Sequence, residues 1–581
     1  MVNRGVSHGC NTCKKRRVKC DESKPTCNEC IRVGRQCAGY GKPQVRVRFR
    51  DLTSQYLKTP SDQTTTAKNN NHEKQRKHSC VQRSPRRPLH LLAIPESLLP
   101  KQLDIAVAFY LRYITDVGRN LQSTRGFLEF VRPVLASESH GSALSTAVNA
   151  AATELWALLR PSDVTGSQPI QLHQKALVRL KQAISTPEER RSDAVVLATL
   201  VLQHLDGLIA VFNRQEPRST HREGALALLT QKGRDTKSPK YYPHLLGNLL
   251  HSKISFCVRN KIPLAVGELM WLQTEVIPTL PDNPSSQLDV IGISVSRLQN
   301  TFCQLESQGS MAVAASGALI ATIQNVDAQL RGWLHHVPDV WRPRRIPGET
   351  PVLLSIFTYH DSCDIYPSVQ VANIWNTWRT YRLIVESIRT KITRALRVVF
   401  EEGDFAMPTD ELLSDEGETH RETPNLIESI CRSIPFYLGS FTRPLTYSDI
   451  HVPLLVFPSY HDLRPDDPAF TIYKNSDDYA SKEDHCRHTA LHGPLHALTI
   501  LSSLMDLLSE QPCPKTAHSL INRQKQWVKE QLNRCLYLTR LDLRIAERIK
   551  TSNHLASPGQ ASAPEEFAQA VRRALTPVTI L

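Results

Sequence analysis

The stretch "CNTCKKRRVKCDESKPTCNECIRVGRQC", residues 10–37, sits near the start of a 581-residue chain. Its six cysteines, Cys10, Cys13, Cys20, Cys27, Cys30 and Cys37, read C-x2-C-x6-C twice over, with an offset of 17 residues. The first half also packs Lys14, Lys15, Arg16, Arg17 and Lys19 between its second and third cysteines; the second half has no such run. The opening "MVNRGVSHGC" has no apolar core of the kind an export signal needs, so clustered cysteines point to metal before disulfides. One tetrahedral zinc would leave two thiolates over, and two separate zinc ions would need eight ligand positions. Two bridging thiolates solve the count. The internal repeat suggests the first cysteine of each half, Cys10 and Cys27. The terminal cysteines then pair within each half or across halves, and the count is satisfied by either.

Electrostatics explains the company these cysteines keep. Two zinc ions and six thiolates carry a net charge of about −2, which neighbouring lysines and arginines stabilise while lowering thiol pKa values. The outer side of the same basic residues is left to face phosphates.

At these residues the chain resembles the DNA-binding domain of the fungal Zn2Cys6 binuclear-cluster transcription factors, matching all six cysteines and the loop proline Pro25. The resemblance implies a small module of two short helices around two zinc ions. One zinc would take Cys10, Cys13, Cys20 and Cys27, the other Cys10, Cys27, Cys30 and Cys37. It also implies that the helix opening at the first CxxC enters the major groove. Arg17, with Arg16 beside it, would read a CGG-type triplet; arginine can donate bidentately to guanine O6 and N7. Lys14, Lys15 and Lys19 are expected on phosphates. The family often carries lysine at the reading position, so Arg17 is a departure from it.

Charge is segregated along the chain. There are 71 Lys and Arg against 56 Asp and Glu, and the first 90 residues hold 21 basic and 6 acidic side chains, the entire excess of +15. A basic head on a neutral body is expected where the head alone meets a polyanion. The expected organisation is a DNA-binding module at 1–40, a basic disordered linker at 41–92 and a large all-α regulatory domain at 93–581. The linker is polar and carries "RVRFR" (46–50), "KQRK" (74–77) and "RSPRRP" (83–88), read as import signals or extra phosphate contacts. It shows no sustained heptad, so a zipper dimer of the kind many such factors use is not expected. A homodimer would have to form through the helical body.

Beyond residue 92 apolar residues recur at i, i+3, i+4 and i+7, as in "ALSTAVNAAATELWALL". Helices are expected near 193–213, 241–258, 310–335, 365–400, 424–440, 485–510 and 514–550. The apolar run from Ala194 is broken by Gln203, His204 and Asp206, which favours a buried helix over a membrane span. "HREGALALLTQKG" (221–233) after that helix resembles the regulatory domain that often follows a binuclear cluster. His485, His488, His492 and His496 share a helical face if Pro494 is accommodated, read as a packing face before a metal site. "TDELLSDEGETHRE" (409–422) reads as a solvated loop or an acidic activation segment. No G-x-S-x-G, P-loop, H-E-x-x-H or Rossmann glycine pattern occurs in the body, and "YHDSCD" (359–364) gathers reactive residue types without a motif. The expectation is therefore a nuclear, non-enzymatic regulator of RNA polymerase II transcription. Its partners would be double-stranded DNA and the transcription machinery or co-regulators, with no membrane. Repression, or control by a small metabolite bound to the body, are the alternatives.

Overall fold

The computed structural model describes residues 9–39, 101–115, 120–123, 125–160, 168–213, 220–232, 241–309, 317–402, 416–451, 454–510 and 518–539. The chain divides into two units, Met1–Leu92 and Ala93–Leu581. The 41–92 linker, its three basic clusters and the missing heptad lie outside the described residues.

In the first unit α1 (Asn11–Arg16) and α2 (Asn28–Arg32) flank the cysteines. The second unit begins with α3 (Gln102–Tyr113), α4 (Leu128–Leu135), α5 (Ala143–Leu159), α6 (Gln168–Ser185), α7 (Pro187–Arg190), α8 (Asp193–Asn213) and α9 (Thr220–Lys232). These pack around one core, in which α5 lies against α3, α6 and α8. Small side chains let the helices approach closely: Ala147, Ala150, Ala151 and Ala152 are all buried. Next come α10 (Tyr242–Asn260), α11 (Val266–Trp271), α12 (Pro284–Gln308), α13 (Gly317–Trp333), α14 (Val369–Glu402), α15 (Glu416–Leu438), α16 (Tyr447–His451), α17 (Pro468–Lys474), α18 (Lys482–Glu510) and α19 (His518–Leu538). A second, larger core holds most of these together. Helix α10 serves both cores, giving Leu245 and Leu249 to the first and Leu246, Leu250 and Ile254 to the second.

The helical expectation holds, including α8 at its expected bounds, where Gln203 and His204 are buried within the helix. Among the described residues no helix is long and apolar enough to cross a membrane. One feature departs from a purely helical body: β1 (Arg344–Pro347) pairs antiparallel with β2 (Ser362–Ile365). The helix expected from 365 therefore starts at Val369. Residues 416–422 of the expected acidic loop instead open α15, and Glu422 pairs with Arg382. The rest of that stretch, 409–415, lies outside the described residues.

The histidine face of α18 is a packing face. His485 Nε2 lies 3.1 Å from Pro458 O, His488 Nε2 is 3.3 Å from Gln370 Nε2, and His496 Nδ1 is 2.8 Å from Asn373 Nδ2. Burial pushes His485 down to about 4, holding it neutral at physiological pH. Pro494 sits inside the helix, next to Gly493, where a Cβ would come 2.1 Å from the Tyr437 carbonyl oxygen. Glycine is what lets α18 approach α15 there.

Candidate metal centre and nucleic-acid interface

The 17-residue repeat of the cysteines is also a repeat of backbone hydrogen bonds. Helix α1 opens on extended Cys10, whose carbonyl accepts from Lys14 N (2.9 Å); α2 opens on extended Cys27, whose carbonyl accepts from Ile31 N (3.2 Å). At the other ends, Val18 N donates to Cys13 O (3.2 Å) and Arg35 N to Cys30 O (2.9 Å). Each closing turn needs one left-handed residue, and the two are Arg17 (φ 56°) and Gly34 (φ 65°). Each half thus opens on the cysteine proposed to bridge and closes its helix in the same way.

These two frames bring the thiols together. The Sγ atoms of Cys10 and Cys27 are 3.5 Å apart, those of Cys10 and Cys30 3.7 Å, and those of Cys13 and Cys27 3.7 Å. Cys10, Cys13, Cys27 and Cys30 are fully buried, with Cys20 and Cys37 half-buried beside them. Two sets of four form: Cys10, Cys13, Cys20, Cys27 and Cys10, Cys27, Cys30, Cys37, each with its sulfur atoms within 4.8 Å of one another. Cys10 and Cys27 belong to both. No disulfide joins these six cysteines among the described residues. Eight sulfur places from six sulfurs is the donor set that two tetrahedral zinc ions require.

The protein's own atoms treat these thiols unequally. Burial pushes Cys13 up to about 12 and Cys27 higher still, while backbone N–H groups pull Cys37 down to about 7. Thiolates packed this closely need countercharge, and divalent cations supply it. Backbone donors add to it, with Cys13 N reaching Cys10 Sγ and Cys10 N reaching Cys20 Sγ, each at 3.3 Å.

Two stabilising devices escaped the sequence reading. Asp21 caps α2 from outside the helix, accepting from Asn28 N (3.1 Å), from Glu29 N (3.5 Å) and from the Ser23 hydroxyl. The Ser23 hydrogen bond, joined by those backbone donors, holds its carboxyl down at about 2. Thr12 Oγ1 donates to Gln36 O (3.2 Å) and accepts from Ala38 N (2.9 Å), while Asn11 N donates to Gly39 O (2.9 Å), fastening the end of the module to α1. An aspartate right after the third cysteine and a threonine inside the first CxxC were the available signals. Neither stands out without knowing how the halves fold together.

The basic residues lie on the outside, as their charge demands. Lys14, Lys15, Arg17 and Lys19 are exposed; Arg16 is half-buried, with its Nη1 enclosed. Lys14, Lys15 and Arg16 form the last turn of α1, where cations suit the negative end of the helix. The module is therefore a buried thiolate centre with exposed cations grouped at one end of its first helix.

Residues 8–46 match the family model for the fungal Zn(2)-Cys(6) binuclear cluster domain, and the N-terminal module is such a domain, holding two zinc ions. Among curated proteins, the chain is similar to the lysine biosynthesis regulatory protein of Saccharomyces cerevisiae, 32% identical over 115 residues, 20% of this chain and 13% of that protein. It is also similar to white-opaque regulator 2 of Candida albicans, 46% identical over 56 residues, 9% of this chain and 13% of that protein. A third relative is the transcriptional regulatory protein moc3 of Schizosaccharomyces pombe, 51% identical over 39 residues, 7% of this chain and 8% of that protein. The alignments thus span 13% or less of these relatives' lengths. The relatives are fungal transcriptional regulators. No solved structure matches the chain.

Proposed function

We propose that the chain is a sequence-specific transcription factor of the RNA polymerase II type that binds double-stranded DNA through its binuclear cluster. The observation that carries this reading is the exposed group of Lys14, Lys15, Arg17 and Lys19 at the end of a helix anchored on a zinc–thiolate centre. A rigid helix end bearing several cations suits a major groove lined by phosphates. In this reading Cys10 and Cys27 bridge the two zinc ions, and Cys13 with Cys20 and Cys30 with Cys37 complete their tetrahedra. Arg17, with Arg16 beside it, reads a CGG-like triplet, and the three lysines hold phosphates. Residues 1–40 serve as the reader, 41–92 as a tether and 93–581 as the regulatory body. The names of the relatives, one of them a regulator of a biosynthetic pathway, support control of a metabolic or biosynthetic gene set from the nucleus and not catalysis.

Selection of bound sequences from a random DNA pool tests this. The full chain with its zinc should enrich CGG-like triplets, and chelation should abolish the enrichment. A pool that stays at its input composition would refute the proposal. A second reading, a regulator gated by a small metabolite, is favoured by a cavity in the body whose lining includes Arg125, His251 and Thr377.

A further inference from the structure

Helix α10 faces both cores of the body, and there it borders a second cavity that shares no lining residue with the one containing Arg125, His251 and Thr377. Leu246, Leu249, Leu250 and Lys253 fall at spacings of three and four, which puts them on one face of α10. The rest of the wall comes from Leu226 of α9, Trp271 of α11 and the π-helical turn Leu272–Val276, through Leu272 and Val276. The cavity they line measures about 260 Å³. Leu249 belongs to the first core, and Leu246, Leu250, Leu272 and Val276 to the second, so the cavity lies on the seam between them.

The buried part of this wall is aliphatic: those five side chains are all buried. Protein interiors are normally packed like organic crystals, and a void among leucines forfeits contacts on every side. A π-helical turn is rare, and such turns recur at functional sites. Four charged residues also reach the lining, and each is already answered. Lys253 Nζ pairs with Glu268 Oε1 at 2.8 Å, and both side chains stay partly open to solvent. The Arg222 guanidinium lies over the Phe256 ring, 5.1 Å from its centroid, and Glu223 is exposed. Two cations and two carboxylates cancel, so the site offers a ligand no net charge. Apolar cavities of this kind stay dry and take apolar guests; one of roughly 150 Å³ holds benzene, and at the same packing this one holds about ten non-hydrogen atoms.

We propose that this cavity binds one uncharged apolar molecule of about that size, which fills the seam between the two cores. The proposal goes beyond the metabolite-gated reading by naming a different cavity and a class of ligand. It does not depend on how the cluster reads DNA, so its test reads binding to the body alone.

Titration calorimetry of the full zinc-loaded chain with indole, at two temperatures, is that test. Indole should bind one molecule per chain with a negative change in heat capacity, the mark of apolar burial. The usual affinity per atom for a ligand of this size gives a Kd of roughly 1 mM or tighter. Indole-3-carboxylate and tryptamine carry the same ring with a charge and should bind at least about tenfold more weakly, because the charge must shed its water. Glucose, polar and of similar size, should not bind. Leu226→Trp places a ring in the cavity and should abolish indole binding. Should that variant fail to fold, Val276→Phe fills the cavity from the π-helical turn and carries the same expectation. No saturable binding of indole up to roughly 1 mM, or wild-type affinity in the filled variant, would overturn the proposal. Tighter binding of indole-3-carboxylate or tryptamine than of indole would overturn it too, making the site one for an acid or an amine.

Discussion

At position 17 the chain places an arginine in a left-handed backbone conformation that its counterpart in the second half, Gly34, adopts with no Cβ to clash. A non-glycine residue there costs on the order of 1–2 kcal/mol. Stability alone would favour glycine at 17, so the arginine points to a task for its side chain. Arg17→Gly should leave two zinc ions bound and the module at least as stable. It should also lower the preference for a G·C-rich triplet over scrambled DNA by about 5- to 150-fold, the equivalent of roughly 1–3 kcal/mol for one bidentate base contact. Lys15→Ala should weaken both sequences alike and flatten the salt dependence by about one phosphate. Competition binding on matched and scrambled duplexes separates the two; equal losses for Arg17→Gly would remove it from base reading. The cysteines were legible because ligand counting is a discrete constraint that six thiols satisfy in few ways. The conformation of Arg17 was not: the 17-residue offset aligns it with Gly34, but nothing in the sequence says that this position closes a helix in the left-handed region.

Among the elements, α14 carries a buried ionic cluster. Arg382 is fully buried and meets Asp327 of α13, Glu422 of α15 and Glu386 of its own helix, while Arg389 reaches Asp327 at 3.6 Å. Removing one partner of a buried ionic cluster leaves the others uncompensated, which costs about 3–5 kcal/mol. Arg382→Leu should lower the urea midpoint of the body accordingly. A change within about 0.5 kcal/mol, the usual range for a surface substitution, would show that the cluster is not holding α13, α14 and α15 together. Helix caps work on a smaller scale. Ser142 Oγ accepts from Ser145 N (3.2 Å) at the start of α5, and Ser142→Ala should cost about 1 kcal/mol by the same measurement.

The helices were legible from their apolar period, whereas β1 and β2 were not. Four residues each are too few for an alternation to register. What fixes their register is the Arg345–Asp364 pair, 2.9 Å apart across directly facing positions. The reactive-looking run at 359–364 thereby gains a structural account. Cys363 is fully buried in β2, with its thiol pushed up by burial, and Asp364 is spoken for by Arg345. The cavity lined by His251, Thr377 and Thr499 escaped the sequence because these residues come from three helices far apart in the chain.

The whole molecule separates charge from bulk. All of the net +15 lies in the first 90 residues, ahead of a body whose charges balance. If residues 41–92 serve as the proposed tether, a flexible coil of about 50 residues would span roughly 40 Å and impose little geometry on what it joins. If two chains pair through their bodies, the paired readers should therefore accept triplets at many separations. Binding to duplexes carrying two triplets at graded spacings checks this, and one sharply preferred spacing would reveal an ordered dimerisation element in the tether.

Everything proposed about recognition rests on the thiolate centre, in which six sulfurs supply eight ligand places by sharing Cys10 and Cys27. Metal binding of this kind is also folding energy, about 10–16 kcal/mol for small zinc modules, so the centre and the reader stand or fall together. Elemental analysis of the purified full chain, with zinc referred to protein concentration, is the direct measurement. The account predicts two zinc ions per chain, and none retained after Cys10, Cys13, Cys20, Cys27, Cys30 and Cys37 are all replaced by serine. One zinc per chain, or two that survive the replacement, would contradict it.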